Sequence, residues 1–221
     1  MNQIASIAAI ATLVGTAGAS ITDNVLYEQL SPTTLGSSAS VYYSNPTHDQ
    51  VMYDQFRFDE QTSIQGIGFW GAIYADANFT VSIYTESAET GLPGRLAYQH
   101  QSARDQADLS LSGSVVDDLW TTVEHHAVIG FDEAFSADSD TTYWLAITGD
   151  AFFSWTFGAT SGDNAVLYSN TAQDSFWTNS DLGRDPTNLA FSVYGTAVPA
   201  PGAICTMMLL GAGISRRRRV C

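Results

Sequence analysis

Histidines and carboxylates are the side chains of this sequence that could do chemistry, and they come together in Glu124-His125-His126. A carboxylate beside two imidazoles could hold a metal ion or transfer protons. On a β-strand, however, neighbouring side chains project to opposite faces, so His125 and His126 cannot bind one ion unless a bulge intervenes. We therefore expect one exposed and one half-buried histidine here, with no shared metal.

Acidic residues in polar loops indicate a second chemistry, the binding of calcium. Calcium takes oxygen ligands from Asp, Asn and backbone carbonyls, and loops of that composition occur at Asp138-Ser139-Asp140-Thr141 and Ser161-Gly162-Asp163-Asn164. Asp138, Asp140 and Asp163 are thus the candidate calcium ligands, although the sequence has no D-x-D-x-D-G loop. The alternative is that no cofactor is bound. A glycosidase would need two carboxylates at a defined separation across a sugar, which a sequence does not show.

The segment from Gly66 to Gly71 matches the G-x-G-x-x-G pattern of dinucleotide-binding folds. Such a site needs the glycines between a strand and a helix, with the pyrophosphate at the helix N-terminus. Here Ala72-Ile73-Tyr74 continues a strand-like run, so the pattern indicates close sheet packing or a bulge. The sequence also lacks a G-x-S-x-G nucleophile elbow, a P-loop and a Cys/His zinc spacing. With no catalytic motif, we predict that the protein is not an enzyme.

The five tryptophans could form a surface on which sugar rings stack, or they could fill the core. Trp144 lies opposite the face shared by Tyr143, Leu145 and Ile147, and Trp177 lies in a polar segment. We therefore predict that Trp144 and Trp177 are exposed, and they are the candidate carbohydrate-binding residues. For the others, packing in the core is the expected role.

Strands are the elements that must position these residues. Phe79, Val81 and Ile83 alternate with polar residues, as do Leu189, Phe191 and Val193, and this period of two is typical of half-buried strands. Pro and Gly in the segment 89–94 predict a tight turn. Roughly ten strands at this spacing favour an all-β domain over residues 20–197, an antiparallel β-sandwich of jelly-roll type.

The first 19 residues are typical of a secretory signal peptide. Ile4 to Gly15 is a uniformly apolar run, and Ala17-Gly18-Ala19 fits the small-residue cleavage pattern, which places the cut before Ser20. Met1-Asn2-Gln3 carries no basic side chain. The alternative is a buried N-terminal helix, but such a helix would alternate apolar and polar residues. We expect a signal helix here.

Residues 198–221 form a tail with three parts. A proline-rich break, an apolar stretch from Ala203 to Ile214 and a basic cluster follow one another; the break comprises Val198, Pro199, Ala200, Pro201 and Gly202, and the cluster Arg216, Arg217, Arg218 and Arg219. As a helix of about 20 Å, the apolar stretch is short for a bilayer core of about 30 Å. The arginines resist translocation, which predicts transient contact with the inner membrane through a short hydrophobic helix. An internal amphipathic helix is the alternative, but four adjacent arginines leave it no face to bury.

This tail resembles the C-terminal sorting signals of bacterial PEP-CTERM proteins, the substrates of exosortase-type membrane enzymes. It departs from the main family in having Pro199-Ala200-Pro201 where Pro-Glu-Pro is usual. The resemblance implies export, recognition near Pro199 to Gly202 by a sorting protease, removal of the tail, and a place at the cell surface or in the extracellular matrix. The body also resembles domains found ahead of such tails, through Phe79 to Tyr84 and Leu189 to Gly195, which implies a β-sandwich of unassigned activity.

Charge separates the tail from the body. The chain has no lysine and carries a net charge of −15. Four of its eight arginines lie in the tail, so the body carries four arginines against 23 acidic residues. Such a body repels nucleic acid. We therefore predict a non-catalytic structural or adhesive protein of the surface or matrix. A carbohydrate-binding module for exopolysaccharide is the alternative, and a glycan-active enzyme is a third.

Overall fold

Alternating apolar residues form thirteen strands within the part of the chain that the structure describes. The computed structural model describes residues 24–31, 41–44, 50–73, 77–115, 123–150, 153–158, 167–170, 175–178 and 188–198. The strands are β1 (Val25–Gln29), β2 (Val41–Tyr43), β3 (Gln50–Arg57), β4 (Thr62–Ile73), β5 (Phe79–Glu86), β6 (Pro93–Ser102), β7 (Asp108–Val115), β8 (Val123–Ala137), β9 (Thr142–Gly149), β10 (Phe153–Thr156), β11 (Leu167–Asn170), β12 (Ser175–Thr178) and β13 (Phe191–Ala197).

These strands build two antiparallel sheets. The first sheet is organised around the long strand β4, which pairs along one edge with β8 and, through β8, with β7. The other edge of β4 is shared by β13 and β10, and these are flanked by β1 and β2. The second sheet has the order β12-β11-β3-β9-β5-β6. Among the described residues the only helical element is a 3-10 turn at Arg104–Gln106.

One hydrophobic cluster lies between the inward faces of both sheets. Phe69 of the first sheet packs edge-on against Phe79 of the second, with ring centroids 5.2 Å apart. Val81, Ile83 and Leu145 contribute from the second sheet, all at 0% exposure. Burial of each such side chain stabilises the fold by about 1.5–3 kcal/mol. The period-two pattern therefore folds as predicted, because each strand turns its apolar residues toward the opposite sheet.

A buried carboxylate joins the two sheets. Asp54 of β3 is 2% exposed, and its Oδ2 accepts a hydrogen bond of 2.6 Å from the backbone N–H of Leu189, just before β13. Leu189 in turn forms an isolated bridge with Phe157. A hydrogen bond to a charged group contributes about 1.5–3 kcal/mol, so this contact helps to hold the second sheet over the first.

The prediction of an all-β, antiparallel fold is confirmed. The predicted turn at 89–94 is also present, because Gly91 has a φ of +67° in the connection between β5 and β6. The predicted signal helix and C-terminal hydrophobic helix lie outside the described residues. No helix of the described part of the chain has the length and apolar character that crossing a bilayer requires.

Candidate functional site

Two of the titratable side chains that the sequence singled out, Glu124 and His126, share the outer face of the first sheet. Glu124 and His126 stand two residues apart on β8, and Trp70 of β4 and Tyr194 of β13 lie on the same face. We call this group the histidine face. The imidazole of His126 stacks on the indole of Trp70, with ring centroids 4.2 Å apart and planes inclined by 18°.

Glu124 anchors one end of the histidine face. Its side chain is fully buried, and its Oε1 accepts a hydrogen bond of 2.8 Å from the hydroxyl of Ser31. Its Oε2 lies 2.6 Å from the hydroxyl of Ser112 on β7. A buried carboxylate of this kind is stable only when its oxygens are hydrogen-bonded. We therefore assign Glu124 a role in fastening β8 to β7 and to the segment after β1.

Gly68 leaves the space in which His126 and Tyr194 meet. A Cβ at this position would lie 3.0 Å from Nε2 of His126, and 2.9 and 3.0 Å from Cε2 and the hydroxyl of Tyr194. Gly71, on the same strand, would place a Cβ only 2.5 Å from the backbone oxygen of Ser154. Gly68 and Gly71 of the G-x-G-x-x-G pattern therefore serve close packing inside β4, as predicted. A bulge between Ile64 and Gly66 also interrupts the pairing with β8.

The two neighbouring histidines face opposite sides of the first sheet, as predicted. The pairing of β8 with β4 is regular from Gly66 to Ala72, so no bulge turns His125 and His126 to one side. Both are half-buried, whereas the sequence predicted one exposed and one half-buried histidine. Burial removes water from both rings, and this desolvation lowers the pKa of His125 and of His126 below the usual 6.5.

Nearby carboxylates oppose that shift for His126. Burial is the largest influence on its pKa, while Glu28, Asp108 and Glu124 act in the raising direction. Nε2 of His126 is buried without a hydrogen-bond partner among the described residues. Burial also raises the pKa of Tyr194, so its hydroxyl stays protonated at neutral pH. The histidine face thus presents a neutral imidazole and a neutral phenol at pH 7, held over Gly68.

The tryptophan prediction is wrong for Trp144. Its side chain does lie opposite the Tyr143, Leu145 and Ile147 face, but it is only 1% exposed. The outer face of the second sheet carries its own apolar cluster, in which Val51, Tyr53 and Ala146 are also buried and Leu92 and Phe176 pack against them. Trp177 lies in β12, and the structure describes no side chain for it. Trp70 and Trp155 are buried at 4% and 0% exposure, as expected for packing residues.

Two of the three candidate calcium ligands fall in the described turn between β8 and β9. Asp140 has a φ of +56°, and its Oδ1 accepts a hydrogen bond of 2.7 Å from the guanidinium of Arg57. Asp138 is exposed, and its backbone N–H donates to the hydroxyl of Tyr143. Asp163 lies outside the described residues. Within the described ranges, no three side chains of His, Cys, Asp or Glu are grouped to hold a metal ion, and calcium binding stays a prediction.

The described residues also line a cavity that the sequence did not indicate. Its volume is about 500 Å³, and its described lining comprises Asn78, Ala103, Arg104, Asp105 and Leu109. These residues come from the connection before β5, from the 3-10 turn and from β7. Arg104 also lies close enough to His125 to help lower the pKa of that histidine. Residues distant in the sequence are brought together here by sheet pairing, and no local motif reveals that.

The residues predicted to direct export and sorting lie almost entirely outside the described part of the chain. Ala17, Ala19 and Ser20 of the cleavage pattern belong to this group, as do Pro199 to Gly202 and Arg216 to Arg219. Val198 is described: its backbone N–H donates to the carbonyl of Gln61, and it is 38% exposed.

Comparison with known proteins does not assign the chain to a family. No family model and no curated protein matches it. Among solved structures, the chain is similar to a CocE/NonD family hydrolase from Staphylococcus aureus, at 8% sequence identity and a TM-score of 0.26. The similarity covers 72% of this chain, which spans 36% of the length of that hydrolase. A likeness this weak carries no argument about activity.

Proposed function

We propose that this chain is an exported protein of the cell surface or extracellular matrix, with a non-catalytic structural or adhesive role. The observation that supports this proposal is the pairing of a signal-like segment at residues 1–19 with a tail of proline break, apolar stretch and arginine cluster at 198–221. The signal directs export. The arginine cluster arrests the tail at the inner membrane, where a sorting protease of exosortase type cleaves near Pro199 to Gly202.

The composition of the body supports a location outside the cell after that cleavage. Between Ser20 and Val198 the sequence has no cysteine, four basic residues and 23 acidic residues. Its stability therefore comes from packing between two sheets, and we infer a β-sandwich of jelly-roll type. Its acidic surface favours hydration and disfavours adsorption to other polyanions. Strand β13 ends at Ala197, directly before the proposed sorting motif, so cleavage there would leave the sheet pairing intact.

The intact mass of the mature protein tests sorting. The full chain is produced in a bacterium that has an exosortase-type enzyme, and the surface and extracellular fractions are analysed by mass spectrometry. We expect an N-terminus at Ser20 and a C-terminus near Val198. Replacement of Pro199 and Pro201 by alanine should leave the tail attached, whereas the matched control Pro186→Ala should be processed normally. A mature chain that still ends at Cys221 would contradict the proposal.

A second function, carbohydrate binding, is favoured by one observation. The cavity bounded by Asn78, Arg104 and Asp105 contains donors and acceptors next to the apolar side chains of Ala103 and Leu109. Sites for small polar ligands are concave and combine an apolar lining with a few positioned polar groups. Retention of the full chain on a column of immobilised exopolysaccharide would support a binding module. A purely structural matrix protein would pass through the column.

A further inference from the structure

The geometry points to the cavity at Asn78, Arg104 and Asp105 as a binding site for a neutral glycan, one or two sugar units at a time. This inference rests on the second function above and names the site and the ligand class for it. A volume of about 500 Å³ falls within the range of about 300–1,000 Å³ that is usual for small-molecule sites.

Asn78 is held in place before any ligand arrives. Its backbone N–H donates to Oδ1 of Asp150 at 2.8 Å, and its side-chain Nδ2 donates to Oδ2 of the same carboxylate at 2.7 Å. The backbone N–H of Asp150 donates back to the carbonyl of Asn78 at 3.1 Å. This pair of reciprocal bonds orients the amide, whose Oδ1 can accept a hydrogen bond from a ligand. A pre-positioned group loses little entropy on binding.

Arg104 and Asp105 are likewise carried on a closed turn. The backbone N–H groups of Gln106 and Ala107 donate to the carbonyls of Ala103 and Arg104, at 3.0 and 3.2 Å. The side chain of Gln106 accepts a further bond from the N–H of Ala103 at 3.2 Å. The turn therefore places a residue with a guanidinium donor and a residue with a carboxylate acceptor next to each other in the lining of the cavity. A sugar hydroxyl both donates and accepts, so it can satisfy both groups at once.

Charge selects among the possible ligand classes. A cation is disfavoured because the cationic residue Arg104 lines the cavity, and no group of three acidic, histidine or cysteine side chains surrounds the cavity among the described residues. An anion is disfavoured because Asp105 adjoins Arg104 and the body carries 23 acidic residues against four arginines. A neutral polyhydroxylated ligand meets neither penalty. Its C–H face can cover the apolar surface of Ala103 and Leu109.

Titration calorimetry on the full chain tests this site. The probes are four neutral tetrasaccharides (cellotetraose, maltotetraose, mannotetraose and galactotetraose) and tetragalacturonate as the anionic counterpart. We expect at least one neutral probe to bind. Arg104→Met should raise its Kd at least about tenfold, because a hydrogen bond to a charged group is lost. The matched control is Arg95→Met, because Arg95 is exposed on β6 and outside the cavity, and its Kd should change less than about twofold.

A second variant guards against loss of folding. Asp105 is exposed, so Asp105→Ala should keep the urea midpoint of the wild type and still weaken binding. Equal Kd values for Arg104→Met and Arg95→Met would overturn the site while carbohydrate binding itself survives. Failure of every neutral tetrasaccharide to bind, or preference for tetragalacturonate, would overturn the ligand class. The sorting proposal is decided separately by the mature mass.

Discussion

Replacement of Gly71 by alanine tests whether the G-x-G-x-x-G pattern serves packing. Gly71 pairs with Trp155 of β10 in the first sheet. A Cβ there would lie 2.5 Å from the backbone oxygen of Ser154 and 2.8 Å from Cε2 of Phe153. Because the first contact is with backbone inside a hydrogen-bonded ladder, it cannot be relieved by rotating a side chain. Strands β4 and β10 would have to move apart.

The expected cost follows from that overlap. Overpacking of a tight interior costs about 1–3 kcal/mol, and a backbone contact falls at the upper end of this range. Alanine recovers about 0.5–1 kcal/mol because it restricts the unfolded chain more than glycine does. We therefore expect a net loss of about 2 kcal/mol in the free energy of unfolding. For a domain of this size, that corresponds to a fall in Tm of about 4–8 °C.

Urea unfolding followed by tryptophan fluorescence measures this loss, since Trp155 lies beside the altered position. The midpoint should fall while the m-value stays constant. Gly158→Ala is the matched control, because its Cβ would lie 3.3 Å from the nearest backbone oxygen and can be accommodated by a small shift. If Gly71→Ala were as stable as Gly158→Ala, the assignment of Gly71 to close packing would be refuted.

Three further predictions concern the histidine face and the second sheet. Because burial lowers the pKa of His126 below 6.5, the unfolded chain binds more protons below that pH, so stability should fall from pH 7.5 to 5.5. The urea midpoint of His126→Gln should fall less over this range than that of the wild type. Equal pH dependence of the two midpoints would contradict the assignment of His126 as a buried, neutral histidine. Ser112→Ala, which removes the 2.6 Å bond to Glu124, should cost about 1.5–3 kcal/mol in urea unfolding. The control Ser110→Ala, whose exposed hydroxyl makes a 3.4 Å bond, should cost less than about 1 kcal/mol. Trp144→Ala should lower the free energy of unfolding by about 3–5 kcal/mol. If Trp144 were an exposed sugar-binding residue instead, the substitution would weaken polysaccharide retention and leave the free energy of unfolding unchanged.

The error at Trp144 has a definite physical origin. Alternation along β9 shows that Trp144 and Leu145 lie on opposite faces, and the structure agrees. Alternation does not show whether the second face is covered. Here Tyr53 from β3 and Phe176 from β12 close over it, and these strands are distant from β9 in the sequence. A face is exposed only when nothing from elsewhere in the chain packs on it.

Six strands were not predicted individually: β1, β2, β6, β7, β11 and β12. The reason is clearest for β6 and β7. Strand β6 is an edge strand in which most residues are exposed or half-exposed, and β7 is rich in serine. An edge strand buries little, so its sequence carries a weak apolar alternation. Its pairing is instead fixed by its neighbours, β5 for β6 and β8 for β7. Three of the described lining residues of the cavity, Ala103, Arg104 and Asp105, lie in the connection between these two strands, which explains why the cavity was not predicted.

The sequence by itself determined the all-β class, the turn at Gly91, the opposite orientation of His125 and His126, and the packing role of the glycines in β4. Each of these depends on period-two alternation or on backbone sterics, which act over a few neighbouring residues. Only the tertiary structure decided that Trp144 is covered, that Ser31 and Ser112 bind Glu124, and that Asn78 faces the same cavity as Arg104. These contacts join residues far apart in the chain, and they exist only because two sheets pack and pair in one particular order.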